Sequence, residues 1–201
     1  MIRREFITGG AAAWPLAARA QQRAMPVIGY LNDRAADASM LVAVRRGLAD
    51  FGYAEGRNFT IEYRFADGRY DRLPAQLTDL TQHKLGVIVL VGVAPTEELV
   101  QQVRASPIPI VIGTGADPVG MGLVASINRP GGNVTGVSSL VGELSGKQLG
   151  LLRDLVPKAV TIAALVDPSL PILGPIALRG ARDAAAALGQ KLLVLEASHS
   201  R

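Results

Sequence analysis

The chain contains no cysteine and only two histidines among its 201 residues. The lack of cysteine excludes disulfide bonds, thiolate metal sites and a cysteine nucleophile. His83 lies at the end of an expected helix and His199 lies in the C-terminal tail, so neither has an evident catalytic or metal-binding partner. We therefore expect no metal site in this protein.

Common nucleotide and nucleophile motifs are also missing. Gly113 and Gly115 are followed by Pro118, where a dinucleotide fingerprint has a third glycine that opens a helix, and no Gly-Lys-Ser/Thr segment occurs. The Gly-Val-Ser segment at 136–138 lacks the second glycine of a nucleophile elbow. We expect no catalytic residue and no cofactor, and we interpret the chain as a binding protein, not an enzyme.

Long apolar runs and concentrated charge are absent as well. Beyond the N-terminal region the longest apolar run, residues 85–94, is about half of the ~20 residues that a membrane helix needs. The formal net charge is +4, but three arginines and one glutamate lie in the first 20 residues, so the rest is close to neutral. Basic residues alternate with acidic ones and are not grouped with aromatic residues, so neither nucleic acid binding nor membrane spanning is expected.

The N-terminal region has the layout of an export signal. Arginines at positions 3 and 4 precede a weakly apolar segment, residues 7–18, and an Ala-Arg-Ala segment at 18–20. A positive end, a short apolar core and small residues before the cleavage point are typical of signal peptides. The arginine pair favours a twin-arginine-like (Tat) route, and the Sec route remains the alternative. We expect residues 1–20 to be removed and the mature protein to be periplasmic.

Short β-rich apolar runs then alternate with segments of helical period, which is the pattern of βαβ units in a parallel sheet. The expected strands cover residues 27–31, 58–65, 87–91, 108–112, 134–137, 161–166 and 192–195. The expected helices cover residues 40–51, 72–84, 95–105, 140–155 and 176–188. Asp71 is the expected N-cap of the second helix. We predict the α/β class with a Rossmann-like doubly wound parallel sheet.

Ligands of doubly wound sheets bind at the carboxyl ends of the strands. The expected ligand-binding residues are Asn32, Asp33, Thr96, Thr114, Asp117, Ser138 and Asp167. Free backbone amides at a helix start near Thr96 suit a carboxylate, and Asp117 suits an ammonium group. Both residues also have a structural interpretation, in which Thr96 only begins a helix and Asp117 only initiates a turn before Pro118.

Two short segments carry a resemblance to a known family. They are Asp-Pro-Val at 117–119 and Asn-Arg-Pro-Gly-Gly-Asn-Val-Thr-Gly at 128–136, and Tyr-Asp-Arg-Leu-Pro at 70–74 is also similar. The chain resembles ABC transporter substrate-binding proteins of the tryptophan-binding-protein-like group. The resemblance implies a type I periplasmic-binding-protein fold, in which two Rossmann-like lobes close on a small ligand. It also implies an ABC permease of the inner membrane as the partner.

The resemblance divides the chain into four parts: the signal peptide at 1–20, a first lobe at 21–139, a crossover helix and hinge at 140–160, and an incomplete second lobe at 161–201. The implied function is the periplasmic solute-binding component of an ABC importer. Its implied ligand is small, polar and carboxylate-containing, for example an amino acid. One alternative is an exported α/β enzyme, a hydrolase or reductase that lacks part of its chain. Another is a purely structural periplasmic domain.

Cleavage after residue 20 predicts that the mature N-terminus is Gln21. N-terminal sequencing of the protein recovered from the periplasm of an expressing Gram-negative host checks this. A periplasmic product that still begins at Met1 contradicts the prediction.

Overall fold

A computed structural model describes residues 25–35, 39–92, 96–168 and 173–198. Its strands are β1 Val27–Asn32, β2 Thr60–Phe65, β3 Val87–Val91, β4 Ile110–Thr114, β5 Val134–Ser138, β6 Thr161–Val166 and β7 Lys191–Glu196. Its helices are α1 Ser39–Asp50, α2 Leu73–Thr81, α3 Glu97–Ala105, α4 Val141–Leu155 and α5 Leu173–Ala187, with a short 3-10 helix at Tyr70–Arg72. The expected signal peptide lies outside the described residues.

The first five strands form one parallel sheet in the order β2-β1-β3-β4-β5. Strand β1 pairs with β2 on one side and β3 on the other, so the strand order reverses at β1 and β3. This reversal is the topological switch point at which doubly wound sheets bind ligands. The predicted Rossmann-like parallel sheet is confirmed. Strands β6 and β7 form a second, two-stranded parallel sheet.

Strand β3 lies at the centre of the five-stranded sheet. Its side chains are apolar on both faces, which suits a strand that is covered by helices on both sides. On one face a buried core joins the strands to α2 and α3 through residues such as Leu31, Leu77, Ile88, Leu99 and Ile110. On the other face Tyr30 and Val91 pack with Leu41 of α1. Helices on both faces therefore hold the carboxyl ends of these strands at fixed positions along one edge.

The expectation that Asp71 caps a helix is wrong. Asp71 lies inside the 3-10 helix, and its carboxylate accepts a 2.8 Å hydrogen bond from the exposed guanidinium of Arg69. Helix α2 begins only at Leu73, with Pro74 in its first turn, and Arg72 at its N-cap makes no side-chain capping bond. Proline suits this first turn because the missing N–H has no helical partner there.

Strand β4 begins at Ile110, two residues later than expected. The Nδ2 atom of Asn133 donates hydrogen bonds to the carbonyl oxygens of Val103, Ser106 and Ile108, at 3.2, 2.8 and 3.2 Å. These bonds fix the start of the segment between α3 and β4 as a connection, because the carbonyl groups of Ser106 and Ile108 accept from a side chain and not from a neighbouring strand.

Helices α4 and α5 pack closely through small residues. Leu149, Ala181 and Ala185 form a buried cluster that also contacts Ile162 of β6 and Leu192 of β7. A Cβ atom added to Gly180 would overlap the carbonyl oxygen of Gly142 on the facing helix. The approach of the two helices thus depends on the missing side chain at Gly180.

We expect Gly180→Ala to lower the free energy of unfolding by about 1–3 kcal/mol, because the new methyl group overpacks the α4–α5 contact. Gly150→Ala in α4 is the matched control, since an added Cβ there meets no atom within 4 Å. Alanine has the higher helix propensity, so the control gains up to about 1 kcal/mol. Urea denaturation measures both, and equal effects of the two substitutions contradict the prediction.

Thr96 is the N-cap of α3, and its side-chain oxygen accepts a 3.2 Å hydrogen bond from the backbone N–H of Leu99. We expect Thr96→Ala to lower the free energy of unfolding by about 1 kcal/mol through loss of this cap. Thr96→Ser keeps a capping hydroxyl and should remain close to the parent protein. A Thr96→Ala variant as stable as the parent in denaturant titrations argues against the cap.

Candidate functional site

A cavity of about 860 Å³ opens at the carboxyl ends of β1, β3, β4 and β5, and we call it the strand-end recess. Its walls are residues 32–35, 39–40, 70, 92, 113–115, 137–139 and 141. The size lies within the range of small-molecule sites, which are about 300–1,000 Å³. The first turn of α1 borders the recess and contains no acidic residue, and a helix N-terminus carries the positive end of the helix dipole.

Asp33 is the most unusual residue of the recess. It follows β1 and is only 4% exposed, and within the described part of the chain its Oδ1 atom has no hydrogen-bond partner. Its Oδ2 atom accepts a 3.1 Å hydrogen bond from the hydroxyl of Tyr70. Most buried polar groups of native proteins are partnered, so an unpartnered carboxylate oxygen in a cavity wall indicates a place for a ligand donor.

Burial raises the pKa of Asp33, and the Tyr70 hydrogen bond and the nearby charge of Arg34 oppose that rise. The folded-state pKa lies above the unfolded value, so the ionised carboxylate destabilises the fold at pH values above both. This penalty decreases as the pH falls through the folded-state pKa. The ligand-free protein thus retains an ionisable group whose charge its own residues only partly compensate.

Tyr70 remains a hydrogen-bond donor over the whole physiological pH range. Burial, together with the negative charge and hydrogen bond of Asp33, raises the pKa of Tyr70 to about 12. The ring is half-buried and packs against the main core. Tyr70 therefore fixes the orientation of the Asp33 carboxylate.

Gly92 leaves the space in which the Asp33 carboxylate sits. Its φ of +73° is in the left-handed region, and an added Cβ would lie 2.7 Å from Oδ1 of Asp33. Glycine is required here both by the backbone conformation and by the close approach of the carboxylate.

Three other expected site residues, Asn32, Thr114 and Ser138, also line the recess. Asn32 is buried, its Nδ2 donates to the Tyr30 hydroxyl at 2.9 Å, and its Oδ1 accepts from the backbone N–H of Arg34 at 2.8 Å. The hydroxyl oxygen of Thr114 accepts from the backbone N–H of Ala116 at 3.1 Å. These bonds hold the loops after β1 and β4 in place at the edge of the recess.

Ser138 joins the end of β5 to the loop after β4. Its hydroxyl donates to the carbonyl oxygen of Ala116 at 2.6 Å and accepts from the backbone N–H of Leu140 at 3.2 Å. Leu140 has a φ of +46°, which is uncommon for a leucine, immediately before α4. Ser138 thus holds together the two loops that form this wall of the recess, at the point where the chain leaves the five-stranded sheet.

The remaining three expected residues lie elsewhere. Thr96 borders a separate, open surface depression next to Tyr70. Asp117 is exposed, and its carboxylate accepts a 2.9 Å bond from the backbone N–H of Val119, as in an Asx turn. Asp167 lines a cavity of about 340 Å³ near α5 and the ends of β6 and β7. The role of all seven residues in ligand binding stays a prediction.

Sequence reasoning missed Tyr70 and the first turn of α1 as parts of the recess. Tyr70 follows β2, whose carboxyl end lies at the same edge as those of β1 and β3. Applying the strand-end rule to every strand, including the edge strand, would have included this loop. The Tyr-Asp-Arg-Leu-Pro segment at 70–74 carries part of the family resemblance, but it does not indicate a role at the site, because that role depends on contact with Asp33, 37 positions away.

Within the ranges that the structure describes, no three His, Asp or Glu side chains are grouped so that they could hold a metal ion. In the same ranges, no helix has the length and apolar character needed to cross a membrane. The charged groups that line the strand-end recess are the carboxylate of Asp33 and the guanidinium of Arg34, next to hydrogen-bonding side chains and the first turn of α1.

Comparison with characterised proteins identifies a relative. The chain is 29% identical over 124 residues to a tyrosine-binding protein of Clostridioides difficile. The aligned region is 62% of this chain and 35% of that protein, so the chain matches about a third of the relative's length.

Solved structures show the same fold. A conserved domain protein of Vibrio cholerae is 27% identical with a TM-score of 0.67, and the alignment covers 86% of this chain and 57% of that one. A Streptococcus pneumoniae domain solved in complex with L-Trp gives a TM-score of 0.64 at 23% identity, with the same two coverages. This second likeness shows the type I periplasmic-binding-protein fold only.

The family described as ABC transporter substrate binding protein matches residues 25–172, which is more than half of the chain. This result and the tyrosine-binding relative agree with the interpretation of the chain as a binding protein and not an enzyme. The chain belongs to the ABC transporter substrate-binding protein family.

Proposed function

We propose that this chain is the solute-binding component of an ABC importer and that it binds a small carboxylate-containing ligand, an amino acid, in the strand-end recess. The observation that carries the proposal is the recess itself, where an unpartnered carboxylate oxygen and the positive end of α1 border one cavity. An α-amino acid carries an ammonium and a carboxylate, which are the complements of these two features.

An aromatic amino acid is the specific candidate. The chain is similar to a tyrosine-binding protein, and the cavity of about 860 Å³ is large enough for an aromatic side chain. Gly92, Gly113 and Gly115 in the walls leave space near the strand ends that larger side chains would fill. The expected residues Asn32, Asp33, Thr114 and Ser138 would then form the first wall around the ligand.

The expected four-part organisation supports a transport role. We propose that residues 1–20 direct export to the periplasm, that 21–139 form the first lobe, and that 140–160 form the crossover helix and hinge. Residues 161–201 then contribute to the second lobe, in which Asp167 borders a cavity near the ends of β6 and β7. Closure of two lobes around a ligand is a hinge motion, and the closed form would be recognised by a permease of the inner membrane.

The test is a thermal-shift and calorimetric titration of the purified chain with L-tyrosine, L-tryptophan, L-leucine, L-glutamate and D-ribose. At a ligand concentration of 100 times Kd, binding stabilises the folded state by about 2.7 kcal/mol. For a chain of this size that corresponds to a rise in Tm of roughly 5–10 °C. We expect L-tyrosine or L-tryptophan to give this shift and D-ribose to give none.

D-Ribose is the appropriate negative probe because sugar-binding and amino-acid-binding proteins can share this fold. A shift with D-ribose and none with the amino acids contradicts the proposed ligand class.

A further inference from the structure

The Asp33 carboxylate has hydrogen-bonding capacity that the described residues do not use. A carboxylate has about four acceptor positions, and the side-chain donor to Asp33 is the single hydroxyl of Tyr70. The Oδ1 atom is buried and has no hydrogen-bond partner among the residues that the structure describes. An unsatisfied group of this kind is costly in a folded protein, so it needs a functional or structural explanation.

The charge of Asp33 is also incompletely compensated. Within the described ranges, no lysine or arginine forms an ion pair with its carboxylate. Arg34 acts on it only as a nearby charge, whereas burial has the larger and opposite effect on its pKa. Among the described residues, Arg34 therefore compensates only part of the charge of this buried carboxylate.

A ligand group that satisfies Asp33 must donate hydrogen bonds and carry positive charge. A primary ammonium does both, because it has three N–H donors around a compact charge. A sugar hydroxyl donates a hydrogen bond but leaves the charge uncompensated. A divalent cation needs further oxygen ligands, and the described residues contain no group of three acidic or histidine side chains near one another.

We propose that Asp33 is the receptor for a primary ammonium group of the ligand and that Tyr70 is its positioning residue. This inference rests on the proposed function, since it takes the strand-end recess as the ligand site. It assigns the ammonium to Asp33 and not to Asp117, whose carboxylate already accepts a backbone hydrogen bond in an exposed turn.

Gly92 belongs to the same arrangement. Because an added Cβ would lie 2.7 Å from Oδ1 of Asp33, any side chain at position 92 would occupy the space next to the unpartnered oxygen. The glycine therefore keeps a side chain out of the space next to this oxygen, at the wall of the recess that both residues line.

The experiment compares L-tyrosine with 3-(4-hydroxyphenyl)propionate, which lacks only the amino group, in calorimetric titrations of the parent chain and Asp33→Asn. We expect the parent to bind L-tyrosine about 10- to 100-fold more tightly than the deaminated probe, since charged hydrogen bonds contribute this much. Asp33→Asn should lose that preference and bind the deaminated probe as the parent does. Retention of the full preference for L-tyrosine by Asp33→Asn overturns the proposal.

Two further variants separate a binding role from a general structural one. Tyr70→Phe removes the hydroxyl that orients Asp33, so we expect a smaller loss of affinity for L-tyrosine and no change for the deaminated probe. Glu62→Gln is the matched control, because it removes one partly exposed carboxylate charge, paired with Arg64 on β2, that does not line the recess. It should leave both affinities unchanged. Equal losses for both probes in Tyr70→Phe contradict a positioning role.

The stability of the ligand-free chain provides a readout that does not depend on ligand identity. Because Asp33→Asn removes a buried charge and keeps an oxygen that accepts from Tyr70, its Tm at pH 7 should equal or exceed that of the parent. A lower Tm identifies Asp33 as a structural residue and overturns the proposal. If neither probe binds the parent, the proposal that the ligand is L-tyrosine fails. The Tm comparison alone then decides the assignment of Asp33.

Discussion

The residues at the centre of the strand-end recess are arranged around the buried carboxylate of Asp33. It lies directly after β1, beside the switch point of the sheet, and a parallel sheet necessarily brings the carboxyl ends of its strands to the same edge. Tyr70 orients the carboxylate from the loop after β2, and Gly92 leaves room for it from the end of β3. Three loops that are distant in sequence therefore converge on one charge.

The protein folds despite this buried charge because the sheet around Asp33 is stabilised by apolar contacts that do not involve it. The strands near Asp33 are held by apolar cores on both faces of the sheet, and these cores contribute most of the stability that the uncompensated carboxylate reduces. The loss of some stability at a ligand site is common, since groups that bind a ligand well are poorly satisfied in its absence. In the proposed function, the ligand supplies the interactions that the protein leaves unmade.

The sequence predicted the elements that depend on local pattern. Strand β3 was expected at its observed position because a continuous run of apolar, mostly β-branched residues is typical of a central parallel strand. Strand β6 also lies at its expected bounds. Strand β4 was expected to begin two residues too early, because the bonds from Asn133 that hold the preceding segment are long-range and leave no local pattern in the sequence. Asp71 failed as a helix cap for a related reason: its carboxylate pairs with Arg69, and the helix begins after a 3-10 turn.

By itself, the sequence determined the α/β class, the order of strands and helices, and four of the recess residues, because alternating apolar periods and the strand-end rule are local properties of the chain. Only the tertiary structure decided that Asp33, and not Asp117, places a carboxylate with one unpartnered oxygen at the recess. It also decided that Tyr70 and Gly92 surround Asp33. Burial and hydrogen-bond satisfaction depend on which distant segments come together, and the properties of a single segment do not specify that.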